Sequence, residues 1–397
     1  MTWLELPDDT PFGITNLPYG IYSTPDTPPR TGVAIGDQVL DLTTVTGDEV
    51  HSTGTLNAFL SRGRTEWRTV RARLQDWLTE AVNRDRGALS PLSQVRLHLP
   101  LAIGDYVDFY SSRDHAENMG ELIRPGTAPL AANWLHLPIG YHGRSGTVQV
   151  SGTPVVRPSG QRKAPQDELP SFGPSRRLDI EAEVGFVVGT PSRLGRPVPV
   201  ADFAEHVFGA CLVNDWSARD LQAWEYVPLG PFLGKSFLTS VSPWLVPLDA
   251  LLSARVRPPD RELAVHDYLV DDDHPWGLAL DLEVRLNGHL VSRPPFAGMY
   301  WTAAQQLAHL TINGASVRTG DLFASGTVSG PAKGQRGSMF ELAWGGADPI
   351  ELPDGTTRTF LEDGDEVVIT ATAPGPDDSR IGFGEVRGRV LPSVATP

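Results

Sequence analysis

The sequence predicts a mainly β protein in two domains, a small one over residues 1–100 and a larger mixed β roll or sandwich over 101–397. Three observations lead there. A chain of 397 residues exceeds the size at which one hydrophobic core usually stops growing. Its 40 glycines and 35 prolines far exceed the usual combined share of about 12% and follow no period, the mark of many tight turns. Segments of strand character also outnumber helical ones, without βαβ alternation.

In chain order, GVAIGDQVLDL carries the first signal, a hairpin with Gly36 and Asp37 between two apolar runs. Over about 65–83, Trp67, Val70, Leu74, Trp77, Leu78 and Val82 recur at spacings of three and four, which predicts a helix with one apolar stripe. Residues 91–100 look like a connector, and the domain boundary is placed near residue 100. Beyond it YVDFY, TVQVSG, DIEAEVGFVVG, HVFGACLVND, ALDLEVRLNGHLV, RTGDLFASGTVSG and DGDEVVITATA read as strands bounded by Gly, Asn, Asp or Pro. Helices are expected over about 112–124, after Ser217, and over about 299–312. No repeat of solenoid or propeller length is present.

The formal charge of -15 argues against nucleic acid, which needs a basic stripe. An anionic ligand would have to be captured by local Arg and Lys inside a cleft. With Cys211 alone, no intrachain disulfide and no multi-thiolate zinc site can form, and a reducing cytoplasm is the simplest location. The start MTWLELPDDTPFG lacks the basic and apolar regions of a signal peptide. No stretch approaches the ~20 apolar residues of a membrane span.

In DIEAEVGFVV, alternation puts Ile180, Ala182, Val184, Phe186 and Val188 on one face and Asp179, Glu181 and Glu183 on the other. Such acids fit two readings, a solvated outer face or a group held together by a cation. Asp215 favours the second, because it ends the apolar run FGACLVN, and a buried strand end rarely wastes a charge. Asp108 in YVDFY is placed similarly. Four carboxylates suit Mg²⁺ or Ca²⁺ better than a softer metal.

In NDWSARDLQAWEYVPLGPFLGKS, Ser217 is a candidate helix cap, and Arg219, Gln222 and Tyr226 share one helical face. The tail GPFLGKS is one residue short of a phosphate loop. Lys235 is left to anchor a carboxylate or balance charge at a metal site. No histidine lies in an HExxH pattern. His115, seven residues after Asp108 on a predicted helix, is placed to act as a general base, with a partly exposed helical histidine as the alternative. The small residues of Gly326–Gly330 suit either backbone N–H donation to a carboxylate or a plain turn.

Taken together, DFYSSRDHAENMG, NWLHLPIGYHGR, DIEAEVGFVVG, NDWSARDLQAWEYVPLGPFLGKSFLTSVSPW, MYWTAAQQLAHLTINGASVRTGDLFASGTVSG and GSMFELAW resemble the fumarylacetoacetase family from about residue 100 nearly to the end. The small leading domain fits as well. The resemblance implies an SH3-like β barrel at the N-terminus, a homodimer, and metal-dependent hydrolysis of a carbon-carbon bond in an anionic diketo acid, the last step of tyrosine and homogentisate breakdown. It implies Asp108, Glu181, Glu183 and Asp215 as metal ligands, with Lys235 and Thr239 lining the same site. His115 matches the base and Glu341 the acid that orients it, while Tyr110, Arg124, Tyr141, Gln222, Tyr226 and Thr327 match substrate contacts. Arg219, Gln222 and Lys235 would stabilise developing negative charge. Two alternatives stay open: hydrolysis of an acylpyruvate or related keto acid, and a noncatalytic module in which the cation only staples the β roll.

Overall fold

The computed structural model describes residues 2–7, 9–84, 86–272 and 275–394. Its leading part holds an antiparallel sheet of β1 (Tyr19–Thr24), β2 (Thr27–Ile35), β3 (Gln38–Asp41), β4 (Leu89–Pro91) and β5 (Arg96–His98), paired as an open row β4-β3-β2-β1-β5. β2 and β3 form the predicted hairpin, and Gly36 at its turn has a φ of +58°, a conformation that L side chains resist. Residues 91–100 are more than a connector, since β5 lies there and pairs with β1. The predicted amphipathic helix is α1 (Arg64–Thr79), with Trp67, Val70, Leu74, Trp77 and Leu78 buried. It ends before Val82, which is exposed.

The remainder is built on a large mixed sheet. Its strands are β6 (Tyr106–Phe109), β7 (Gly140–His142), β8 (Val148–Val150), β10 (Ala182–Val188), β11 (Val207–Asp215), β12 (Thr239–Val241) and β15 (Leu322–Ala324), in the order β7-β6-β15-β10-β11-β12-β8, with Val246–Pro247 also paired to β11. β6 runs parallel to β15 and β8 parallel to β12. A second sheet comprises β9 (Val155–Val156), β13 (Asp281–Leu286), β14 (His289–Ser292), β16 (Glu366–Pro374) and β17 (Arg380–Leu391), in the order β14-β13-β16-β17-β9. Among the helices that flank these sheets near the acidic strand ends or brace them are α2 (Arg113–Ile123), α3 (Arg219–Glu225), α4 (Ala303–Thr311) and the single turn α5 (Met339–Leu342).

Both faces of the large sheet are covered. Val184, Phe186, Val188, Ala210 and Leu212 join the core shared with Val367, Ile369 and Val386 of the second sheet. Val187, Phe208, Cys211 and Val213 pack the other way, against Tyr19, Phe59 and Trp67 of the leading part. A sheet buried on both faces reads as a continuous apolar run, and every residue of β10 and β11 is buried. The solvated-face reading of Glu181 and Glu183 is therefore overturned.

Ser112 caps α2 by accepting the His115 N–H, and Thr302 with Gln305 forms a capping box on α4. The expected cap on α3 does not form: Ala218 is the capping position, and no side chain caps there. Ser217 is held in a two-residue strand paired with Asp179, and its hydroxyl donates back to the Asp215 carbonyl at 3.0 Å. Among the described residues no helix is long and apolar enough to cross a membrane.

Candidate metal and catalytic site

The strand pairings bring four acids together at one end of the large sheet. Glu181 just precedes β10 and Glu183 lies on it. Asp215 closes β11, and its N–H donates to the Glu181 carbonyl. Asp108 arrives from β6, which is separated from β10 by β15, and it pairs there with Ala324 of β15. These side chains continue the row that elsewhere on the same face is Val187, Val213 and Tyr106. Carboxylate oxygens of Asp108, Glu181, Glu183 and Asp215 all lie within 4.8 Å of one another, and all four residues are buried.

Two buried cations balance part of this charge. The Lys235 ammonium donates to Glu181 and, at 2.6 Å, to Asp215 Oδ2, whose other oxygen accepts from Thr239 Oγ1 at 2.9 Å. The Arg219 guanidinium bridges Glu181 Oε1 at 2.7 Å and Asp179 Oδ2 at 2.8 Å. Burial opposes ionisation of Glu181, but Lys235 and Arg219 overcome it and hold the carboxyl below its usual range. Burial also works against Lys235, yet Asp215 and Glu181 raise its pKa.

Asp108 and Glu183 are less well served. Asp108 Oδ1 and both oxygens of Glu183 are buried without a hydrogen-bond partner. Burial, reinforced by the charge of Asp215 on Asp108 and of Asp108 on Glu183, pushes both carboxyls well above their usual range. Unsatisfied carboxylate oxygens at this depth are costly. An all-oxygen donor set with surplus negative charge fits a hard divalent cation, so the cluster could hold one.

Beside the cluster stands a second buried pair. His115 Nδ1 lies 2.7 Å from Glu341 Oε2, and its Nε2 faces Glu181 Oε1 at 4.0 Å. Glu341 also accepts from Asn118 Nδ2 at 2.9 Å, Ser329 Oγ at 2.9 Å and Ser338 Oγ at 2.7 Å. Burial would raise the Glu341 carboxyl, but His115, through charge and hydrogen bond, and the donors Asn118 and Ser338 hold it below its usual range. The partly exposed alternative for His115 falls, since it is 3% exposed. Asn118, Ser329 and Ser338 escaped sequence reasoning, although the S-x-x-E spacing of Ser338 and Glu341 was a visible capping signature.

A cavity of about 360 Å³ opens onto this assembly and is lined by Asp108, Tyr110, His115, Arg124, Tyr141, Glu181, Arg219, Gln222, Tyr226, Lys235 and Thr327. Glu183, Asp215, Thr239 and Glu341 are not among its lining residues. Tyr110 sets its ring edge-on to His115 at 5.3 Å, and Gln222 accepts from Arg219 at 3.0 Å. Thr327 Oγ1 is buried and unpartnered, whereas Arg124 Nη2 donates to the Pro129 carbonyl. The backbone-donor reading of Gly326–Gly330 is narrowed, because the Val328 and Gly330 N–H groups already serve the Ala182 and Gln335 carbonyls. Asp179, expected beside Glu181 and Glu183, turns away to Arg219 and α5, because the strand breaks between Asp179 and Ala182. A larger cleft of about 790 Å³ between α1 and residues 249–253 contains none of the clustered acids.

A mainly β chain in which a buried His–Glu pair stands beside four acids that could hold a divalent cation has the make-up of a hydrolase of the fumarylacetoacetate type. The chain belongs to the fumarylacetoacetate hydrolase family: the fumarylacetoacetate (FAA) hydrolase C-terminal model matches residues 106–391 and the fumarylacetoacetase N-terminal model matches 15–100. It is 47% identical to the fumarylacetoacetase of Homo sapiens over 99% of both chains, and 46% identical to that of Rattus norvegicus over 100% of both. The fumarylacetoacetase of Arabidopsis thaliana is 41% identical, with 99% of this chain and 98% of that one covered. Among solved structures, fumarylacetoacetate hydrolase from psychrophilic Exiguobacterium antarcticum shares the fold at a TM-score of 0.57 and 20% identity, covering 95% of this chain and 99% of that one.

Proposed function

We propose that the chain hydrolyses 4-fumarylacetoacetate to fumarate and acetoacetate, the last step of tyrosine and homogentisate breakdown. The observation that carries this reading is one cavity lined both by His115, which is paired with Glu341, and by Asp108 and Glu181 of the four-acid cluster. Full-length identity to fumarylacetoacetases supports the choice of substrate.

In this reading Asp108, Glu181, Glu183 and Asp215 hold one or more Mg²⁺ or Ca²⁺ ions, with Lys235 and Thr239 completing the surround. A bound cation supplies Lewis acidity toward the substrate's diketo oxygens. Arg124, Tyr110, Tyr141, Tyr226 and Thr327 bind and orient the anionic substrate. His115, steered through Nδ1 by Glu341, takes a proton from water at Nε2 as the water attacks the carbonyl carbon of the fumaryl group. The tetrahedral adduct collapses with its carbon-carbon electron pair leaving as the acetoacetate enolate, which is then protonated. Arg219, Gln222 and Lys235 stabilise the negative charge that develops.

The chain is further proposed to divide near residue 100, to carry an SH3-like barrel in its leading part, and to act as a cytoplasmic homodimer. The test is the absorbance of fumarylacetoacetate with purified protein, with and without EDTA, beside acetylpyruvate. Rapid loss of the first that EDTA abolishes is the expected result. Preference for acetylpyruvate would move the chain to acylpyruvate hydrolysis, and loss of neither substrate by cation-loaded protein would sink the hydrolase reading.

A further inference from the structure

Asp179 is fully buried, yet it joins neither the acid cluster nor the cavity lining. Its two oxygens face different parts of the site. Oδ2 accepts from Arg219 Nε at 2.8 Å, and the same guanidinium reaches Glu181 at 2.7 Å. Oδ1 accepts from the N–H groups of Met339 at 2.8 Å and Phe340 at 3.3 Å, the first residues of the turn that carries Glu341. The Arg219 guanidinium also lies over the Phe340 ring, 5.6 Å from its centre. These contacts close a ring: Asp179 to α5, Glu341 to His115, His115 to Glu181, and Glu181 through Arg219 back to Asp179.

We propose that Asp179 is a positioning residue: it fixes the α5 turn, and so Glu341 and His115, relative to the Arg219–Glu181 side of the acid cluster. A short helical turn held at one end by a buried carboxylate has little freedom to slide, and misplacement of a base by about 1 Å lowers turnover by up to roughly a hundredfold. An arginine suits this bridge because its planar fork serves two carboxylates at once, which a lysine ammonium does not reproduce. The catalytic consequence rests on the proposed role of His115, whereas the mechanical coupling does not.

The experiment uses Asp179→Asn, which keeps the side-chain shape and an acceptor for the Met339 N–H but no longer matches the Arg219 fork. In cation-free protein, NMR reads the His115 Nδ1–H and Arg219 Nε–H protons. Both signals are expected to move, although Asp179 does not touch His115. With fumarylacetoacetate, kcat is expected to fall roughly tenfold to a hundredfold while KM changes less than about threefold. Arg219→Lys is expected to move the His115 signal as well, and it carries the test if Asp179→Asn does not fold. Asp271→Asn, which disturbs a buried carboxylate bonded to Thr302 and Gln305 instead, is expected to leave the signal in place. An unmoved His115 proton in a folded Asp179→Asn or Arg219→Lys variant overturns the proposal. So does an equal movement in Asp271→Asn, which would mark generic loosening. Coupled signals in a wild type that does not turn over the substrate would sink the hydrolase reading and leave this one standing.

Discussion

At the scale of single residues, the proposed function divides the work between groups that hold charge and one group, His115, that moves a proton. His115→Ala removes only the second. Its kcat is expected to fall by about two to four orders of magnitude while Mg²⁺ affinity, measured by calorimetry, stays nearly unchanged; loss of the cation in that variant would refute the assignment. The carboxylates make a separate prediction. Asp108 and Glu183 have raised pKa values in the cation-free fold, so protons compete with the cation as pH falls. The rise in melting temperature on adding Mg²⁺, about 2.7 kcal/mol of stabilisation at a hundredfold excess over Kd, is expected to shrink steadily from pH 8 toward pH 5. A shift that does not depend on pH would show that the cation binds elsewhere.

Sequence reasoning reached some of these residues and not others for physical reasons. Acids at a fixed spacing beside an apolar run are a local pattern, so Glu181, Glu183 and Asp215 stood out. Asp108 and His115 followed from their place beside predicted elements. Glu341 lies 226 positions from His115 along the chain, and no local pattern joins them, so only the family resemblance supplied it. Asp179 could not be separated from its neighbours by alternation alone, because alternation assumes an unbroken strand.

Among the elements, strands were legible where turn residues bracket them, as in the hairpin at Gly36. The α3 cap was misjudged because Ser217, which looks like a capping residue, is claimed by strand pairing with Asp179. Backbone geometry at the end of β15 is equally decisive. Gly326 has a φ of +76°, and a Cβ there would sit 2.1 Å from the Phe109 carbonyl oxygen. Gly326→Ala must therefore push apart the two segments that carry Asp108, Tyr110 and Thr327. It is expected to lower stability by at least about 2 kcal/mol, seen as a lower melting temperature, and to weaken cation binding in the same sample. A variant with unchanged melting and cation affinity would show that this crossing has slack.

For the whole molecule, the junction of the two parts carries its own titration. His51 is buried against Phe59, whose ring meets Tyr19 and Phe208, and neither ring nitrogen has a hydrogen-bond partner. Burial lowers its pKa from 6.5 to about 4. Between those values the unfolded chain binds the proton and the folded one does not, so stability is full above pH 6.5 and is lost as pH falls toward 4. The loss amounts to about 3 kcal/mol. His51→Leu is expected to flatten the acid limb of the stability curve relative to wild type in denaturant titrations at about pH 7 and about pH 4.5, and parallel limbs would exclude His51 as the source.

The parallel pairing of β15 with β6 puts Ala324 beside Asp108, and that adjacency governs when the site can exist during synthesis. Closing it requires a loop of roughly two hundred residues, among the slowest events in folding. A ribosome that has released the chain as far as Asp215 has produced all four clustered acids, but neither the strand that sets Asp108 among them nor the carboxylate that steers His115. Nascent chains should therefore expose an acidic strand end that attracts cations without organising them, and truncations from the C-terminus should abolish the site long before they remove any of its acids.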